Sequence, residues 1–178
     1  MSQPADRRVR SEVRVRRAVE ADAEKIAEIY NEGIRGRGAT FETAPRTVAD
    51  RRASLAAGGT RFPTLVAELD GEVIGWSSLT EHSVRACYAG IAECSVYVDA
   101  RHRGRRVGQK LLRALIDEAR QQGFWKLVSR VFPFNHASRG VCRSVGFREV
   151  GVYERHAQLD GEWLDVVIVE RLIPENQR

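Results

Sequence analysis

The chain has 178 residues, 43% of them hydrophobic and 30% charged, and a formal net charge of +5; this is the profile of one globular domain and excludes disordered and collagen-like chains. No apolar run approaches the ~18 residues of a membrane helix, and the polar, basic segment 1–11 has no apolar stretch that would make it a secretory signal. Three cysteines, Cys87, Cys94 and Cys142, are an odd number at unpaired spacing, which fits a reducing cytoplasm and neither a disulfide framework nor a Cys-based zinc site.

Val13-Arg14-Val15-Arg16 alternates apolar and polar, which predicts a half-buried strand. Asp22 is placed to cap a helix carrying Ala23, Ile26, Ala27, Ile29 and Tyr30 at helical spacing, with Gly33, Gly36 and Gly38 ending it. Thr40 to Thr43 reads as a short extended piece, and Thr47 to Ala57 as a helix stopped by Gly58-Gly59. Thr64–Leu69 and Val73–Thr80 flank Asp70-Gly71, a strong hairpin signal because both turn positions require positive φ. A strand is expected over Ile91–Val98. Next come an amphipathic helix over Val107–Gln122 ended by Gly123, a strand over Lys126–Val131 and a short helix from His136 to Val145. Two last strands, Val150–Gln158 and Trp163–Leu172, surround Asp160-Gly161. The order β-α-α-β-β-β-α-β-α-β-β predicts an α+β domain over 13–173, one mixed, mostly antiparallel twisted sheet flanked by helices. Residues 1–12 are expected as a basic tail and 174–178 as a short C-terminal one.

Positive charge is concentrated in two places. Arg7, Arg8, Arg10, Arg14, Arg16 and Arg17 read as a solvated tail and strand edge. Arg101, Arg103, Arg105 and Arg106 fall in a loop between a strand and a helix. There Gly104, Arg105, Arg106, Val107, Gly108 and Gln109 would offer unpaired backbone N–H groups and the positive end of a helix dipole, which is a ready anion site. A pyrophosphate suits it. The spacing matches neither a P-loop nor a dinucleotide fingerprint.

The stretch Arg103 to Gly108 resembles the acyl-CoA-binding motif of the GNAT superfamily of N-acetyltransferases, Arg/Gln-x-x-Gly-x-Gly/Ala, with Arg106 where the first Gly is usual. Asn135-His136-Ala137-Ser138 followed by Gly146-Phe147 resembles that family's second motif. Ile29-Tyr30-Asn31, Ala39 to Thr43, Arg85, Tyr88, Glu93 to Val98 and Asp160 to Val166 are similar to the phosphinothricin branch, whose relatives also act on arsinothricin and methionine sulfoximine. The resemblance implies the GNAT fold and a cytoplasmic homodimer. It also implies acetyl-CoA as co-substrate and transfer of its acetyl group to the amine of a small toxic amino-acid analogue, conferring resistance. Two positions depart from it: Leu164 stands for a His, and Cys142 for the Tyr that many members use as general acid.

The resemblance also assigns roles. Glu93 would take the proton of the attacking ammonium, and the backbone N–H of Val98 would polarise the thioester carbonyl. Val96, Asn135 and Ser138 would hold the pantetheine arm, with Asn135 equally suited to capping the helix after it. Arg85, with Tyr88, would grip the acceptor's acidic groups as the one cation near Glu93 outside the acetyl-CoA loop, and Phe41 would close over the acceptor. Cys142 is expected to pack rather than react. His82, His102, His136 and His156 are too scattered for a metal site. No nucleic-acid-binding signature occurs. A GNAT enzyme acting on a protein N-terminus or lysine shares the same acetyl-CoA motif and remains the alternative.

Overall fold

The computed structural model describes residues 12–177, so all but the last residue of the basic tail expected over 1–12 lies outside the described residues. The elements follow the expected order. They are β1 (Arg14–Arg17), α1 (Ala23–Arg35), α2 (Val48–Gly58), β2 (Thr64–Leu69), β3 (Glu72–Glu81), β4 (Ile91–Val98), α3 (Val107–Gln121), β5 (Lys126–Val131), α4 (His136–Ser144), β6 (Arg148–Leu159) and β7 (Glu162–Leu172). One seven-stranded sheet runs β1-β2-β3-β4-β5-β7-β6. Every neighbouring pair is antiparallel except β4 and β5, because α3 carries the chain across one face between them.

Both tight turns form as their Asp-Gly pairs demand. Asp70 and Gly71 have φ of 52° and 83°, and Asp160 and Gly161 have 50° and 87°. The apolar stripe of α3 (Val107, Leu111, Leu112, Leu115) packs with Ile74, Phe124 and Leu127 on one face of the sheet. Ile26, Ile29 and Ile34 of α1 cover Val66, Val73 and Trp76 on the other. Burying each of these large side chains contributes roughly 1.5–3 kcal/mol, which is why the sheet is flanked on both sides.

Three local expectations need correction. Asp22 does not cap α1; its carboxylate accepts from Val19 N at 2.8 Å and pairs with Arg16 at 2.7 Å, closing a 3-10 turn instead. Gly33 does not end α1 but lies within it, where an added Cβ would sit 3.2 Å from the Tyr97 ring; the glycine lets the helix close on β4. Residues Thr40 to Thr43 are loop, and Thr40 Oγ accepts from Glu42 N rather than leaving that amide for a ladder. Near the C-terminus, Pro174–Asn176 make a 3-10 turn that the Asn176 amide ties to the carbonyls of Arg120 and Phe124.

Candidate active site

Strands β4 and β5 stay together for only three register pairs, Ile91 with Lys126, Ala92 with Leu127 and Glu93 with Val128, and then diverge. On its other side β4 remains paired with β3 as far as Val98, and Asp99 N donates to Ile74 O at 3.0 Å. In an antiparallel ladder alternate residues direct their backbone groups to opposite sides. Asp99, Tyr97 and Ser95 therefore bond to β3, while Val98 and Val96 turn their N–H and C=O toward the gap. The Val98 carbonyl accordingly accepts from Arg103 Nε at 3.4 Å rather than from β3. A cleft of about 640 Å³ fills this fork, lined by Val96, Val98, the loop before α3, the start of α4 and Arg130 of β5.

The loop entering α3 keeps its donors unspent. Gly104 has φ 76°, and Arg106, at the helix N-cap, is left-handed at φ 60°, ψ 17°. Arg106 makes no side-chain cap, so the first-turn N–H groups of Val107, Gly108 and Gln109 have no intrahelical partner. All three residues line the cleft, as do Arg103, Gly104 and Arg106; Arg105 is exposed and does not. The left-handed φ explains why a glycine is usual at position 106. Gly108 is buried between elements, and a Cβ there would lie 3.5 Å from Val141 and 3.8 Å from Val98.

Ahead of this loop, Asp99 braces the end of β4. It accepts from Arg101 N at 2.8 Å and pairs with the Arg101 guanidinium at 2.8 Å. Those hydrogen bonds hold its carboxyl well below the usual carboxylate range.

Across the cleft, Asn135 caps α4 by accepting from Ser138 N at 3.0 Å and donates to Gly38 O at 2.8 Å, tying α4 to the loop after α1. Both Asn135 and Ser138 line the cleft. Cys142 also lines it, yet it is 3% exposed within the core, and burial pushes its thiol up to about 11. Tyr97 is clamped between Trp76, stacked at 4.8 Å, and Tyr30, edge-on at 4.9 Å. Burial raises its phenol above the ordinary value, so it stays a neutral O–H, donating to Ala39 O at 3.4 Å.

Glu93 sits at the vertex of the fork, 26% exposed, on the face of β4 opposite Cys94 and Val96. Arg130 Nη1 lies 2.6 Å from its carboxylate, and His82 Nδ1 lies 3.9 Å from it. Tyr88 meets His82 edge-on, with ring centres 6.2 Å apart. Phe41 packs edge-on against Phe132 at 4.7 Å, and Phe132 stacks on Phe134 at 5.2 Å. Tyr88 thus reaches Glu93 through His82, and Phe41 lies behind Phe132, which lines the cleft; neither Phe41 nor Tyr88 lines the cleft itself. Arg85 is exposed on the β3–β4 loop and lines no part of the cleft. The expectation that Arg85 is the one cation near Glu93 is corrected by Arg130, which sequence reasoning missed because only the parallel pairing of β4 with β5 brings the two together. His82 was missed in its contact with Glu93 for a similar reason: ten residues of loop and strand separate them in the chain. Leu164, Trp163 and Asp165 lie away from the cleft. Asp165 accepts from Arg155 N at 2.8 Å and holds a bulge in β6 where Arg155 has φ 45°.

Residues 24–147 match the model of the acetyltransferase (GNAT) family. The chain belongs to the GNAT family of acetyltransferases. An L-methionine sulfoximine/L-methionine sulfone acetyltransferase of Pseudomonas paraeruginosa is 35% identical over 88% of this chain and 92% of that protein. A phosphinothricin N-acetyltransferase of Streptomyces coelicolor is 29% identical over 90% and 96%. The crystal structure of a GNAT phosphinothricin acetyltransferase from Sinorhizobium meliloti in complex with acetyl-CoA superposes with a TM-score of 0.85, at 28% identity, covering 90% of this acetyltransferase and 88% of that chain. Among the described residues, no group of three or more His, Cys, Asp or Glu could hold a metal ion, and no helix is long and apolar enough to cross a membrane.

Proposed function

We propose that this acetyltransferase moves the acetyl group of acetyl-CoA to the α-amine of a small free amino acid or analogue, of the methionine sulfoximine and phosphinothricin kind. The observation that carries the transfer chemistry is the parting of β4 and β5 after Glu93, with the Val98 and Val96 backbone groups turned into the gap. A thioester lying there receives the Val98 N–H on its carbonyl oxygen, where charge develops as the amine attacks. The pantetheine arm runs past Val96, Asn135 and Ser138, and the pyrophosphate rests on the unpaired N–H groups of the loop 103–109. The names of the relatives support the choice of acceptor.

A chain-terminal α-ammonium has a pKa of about 8, and a free amino acid, with its carboxylate ionised, holds the proton more tightly, so at neutral pH less than about a tenth is neutral and the deficit exceeds about 1.4 kcal/mol. Glu93, directly or through a water, receives that proton. Nitrogen attacks the thioester carbon and releases its second proton to solvent, the tetrahedral intermediate collapses with cleavage of the C–S bond, and CoA leaves as a thiolate that takes a proton from water, the buried Cys142 thiol remaining neutral. Attack is direct, without an acetyl-enzyme.

The reading extends to a cytoplasmic homodimer that confers resistance to its substrate. The exposed Val150, Val152, Tyr153 and Trp163 of the β6–β7 hairpin support a second copy docking there, to be tested by light scattering. The decisive assay is CoA-thiol release with methionine sulfone, methionine sulfoximine and phosphinothricin set against peptide N-termini. Faster turnover of a peptide amine than of all three would overturn the proposal.

A further inference from the structure

We propose that the Glu93–Arg130 ion pair is the receptor for the acceptor's head group, with the α-carboxylate on Arg130 and the α-amine beside Glu93, so that free α-amino acids are selected over amines without that carboxylate. This rests on the amino-acid acetyltransferase reading and names what selects the acceptor.

Glu93 is the last residue of β4 that pairs with β5, opposite Val128. Arg130 lies two positions beyond Val128, on the same face of β5, where the strands have begun to part. Its Nη1 meets Glu93 Oε1 at 2.6 Å, while the side chain stays 49% exposed and lines the cleft. A guanidinium carries five N–H donors in a planar fork. One edge engaged by Glu93 leaves another able to take a second carboxylate, the geometry in which Arg contacts are strongest.

The ligand's own covalent structure supplies the rest. In an α-amino acid one carbon separates ammonium from carboxylate. A carboxylate seated on Arg130 therefore holds the ammonium next to the base that is already in contact with the same guanidinium. The zwitterion lies head-to-tail along the ion pair, each charge against its opposite. A peptide N-terminus presents a neutral amide where Arg130 expects an anion, and a lysine side chain presents nothing there. Phe132 follows Arg130 by two residues and, with Phe41 packed on it, offers an apolar wall for the acceptor's side chain. Among the described residues, the other ionisable group within ion-pair reach of Glu93 is His82, at 3.9 Å.

The experiment compares L-methionine sulfone with its α-carboxamide as acceptors for the wild-type enzyme and for Arg130→Gln, with saturating acetyl-CoA. Taking the mutant-to-wild-type ratio for each acceptor cancels their different amine basicities. A charge-assisted carboxylate contact predicts that Arg130→Gln lowers kcat/KM for the acid by about 10- to 150-fold, chiefly through KM, and barely alters that for the amide. Equal losses for acid and amide would overturn the assignment and leave Arg130 as a brace for Glu93. If the variant fails to fold, judged by acetyl-CoA affinity, the wild type decides: no preference for acid over amide also overturns it. A wild-type enzyme that acetylates no free amino acid overturns the proposed function itself, a result distinct from acetylation of acid and amide alike.

Discussion

Arg106 holds a left-handed conformation at the N-cap of α3, φ 60° and ψ 17°, without capping the helix. For an L-residue that backbone costs roughly 1–2 kcal/mol, which glycine escapes. Glycine loses in return about 0.5–1 kcal/mol of additional chain entropy on folding. The difference predicts that Arg106→Gly stabilises the protein by roughly 0.5–1 kcal/mol, a rise in Tm of about 1–4 °C for a chain of this size. Arg106→Ala keeps the strain and loses the side chain, so it should melt below Arg106→Gly. Because the N–H groups of the loop and first turn remain in place, acetyl-CoA affinity in Arg106→Gly should fall by no more than about tenfold, ~1.4 kcal/mol. Calorimetric melting and acetyl-CoA titration of the three proteins measure both effects. A glycine variant that melts below the alanine variant would refute the strain argument. A loss of affinity well beyond tenfold would show that the guanidinium, not the backbone, holds the pyrophosphate.

Gly108→Ala meets only ordinary contacts at Val141 and Val98 and should keep or raise Tm, since alanine favours a helix by up to about 1 kcal/mol. Because the motif takes Gly or Ala at this position, acetyl-CoA affinity measured by calorimetry should stay within about tenfold of the wild type; a larger loss would show that the backbone approach at 108 needs a bare glycine. Glu93→Gln should lower kcat/KM at pH 7 by as much as ~10²-fold, with the loss shrinking toward pH 9.5 as the amine neutralises itself. A loss of equal size at both pH values would assign Glu93 to positioning. For Asp99, the folded pKa lies below the unfolded one. Its contribution to stability is therefore complete above the unfolded value of about 4 and is lost as pH falls through the folded one. Asp99→Asn should accordingly destabilise the protein at pH 7 and flatten its acid-melting profile below pH 4, and an acid profile as steep as that of the wild type would count against the brace.

What could be read from the sequence was what short-range chemistry dictates. Asp-Gly pairs between alternating runs specify their hairpins, and the glycine and arginines of loop 103–106 mark the break between β4 and α3, wherever the rest of the chain goes. Thr40 to Thr43 misled because alternation alone does not supply a partner strand, and the Thr40 hydroxyl offers the backbone a local alternative. Gly33 looked like a stop signal, yet its absent side chain serves the Tyr97 ring across the sheet face. Arg130 was invisible for a deeper reason. Its meeting with Glu93 depends on a parallel crossover and on the place where two strands part, and no local pattern encodes either.

The fork has a consequence for how the domain holds together. The first four strands are zipped to neighbours in the chain, and β5, β7 and β6 form a second ladder. Across the seam the backbone contributes three register pairs and the bonds of Trp125 N and Lys126 N to Gly90 O, so much of the adhesion falls to the shared core in which α3 meets Leu127, Val167 and Val169. A co-substrate lying in the seam as proposed would bond to β4, to the loop before α3 and to α4, and would act as a removable strand. Loading with acetyl-CoA at a hundred times its Kd would then reinforce the native state by about 2.7 kcal/mol, and that reinforcement would be concentrated where the two halves of the sheet would otherwise hinge apart.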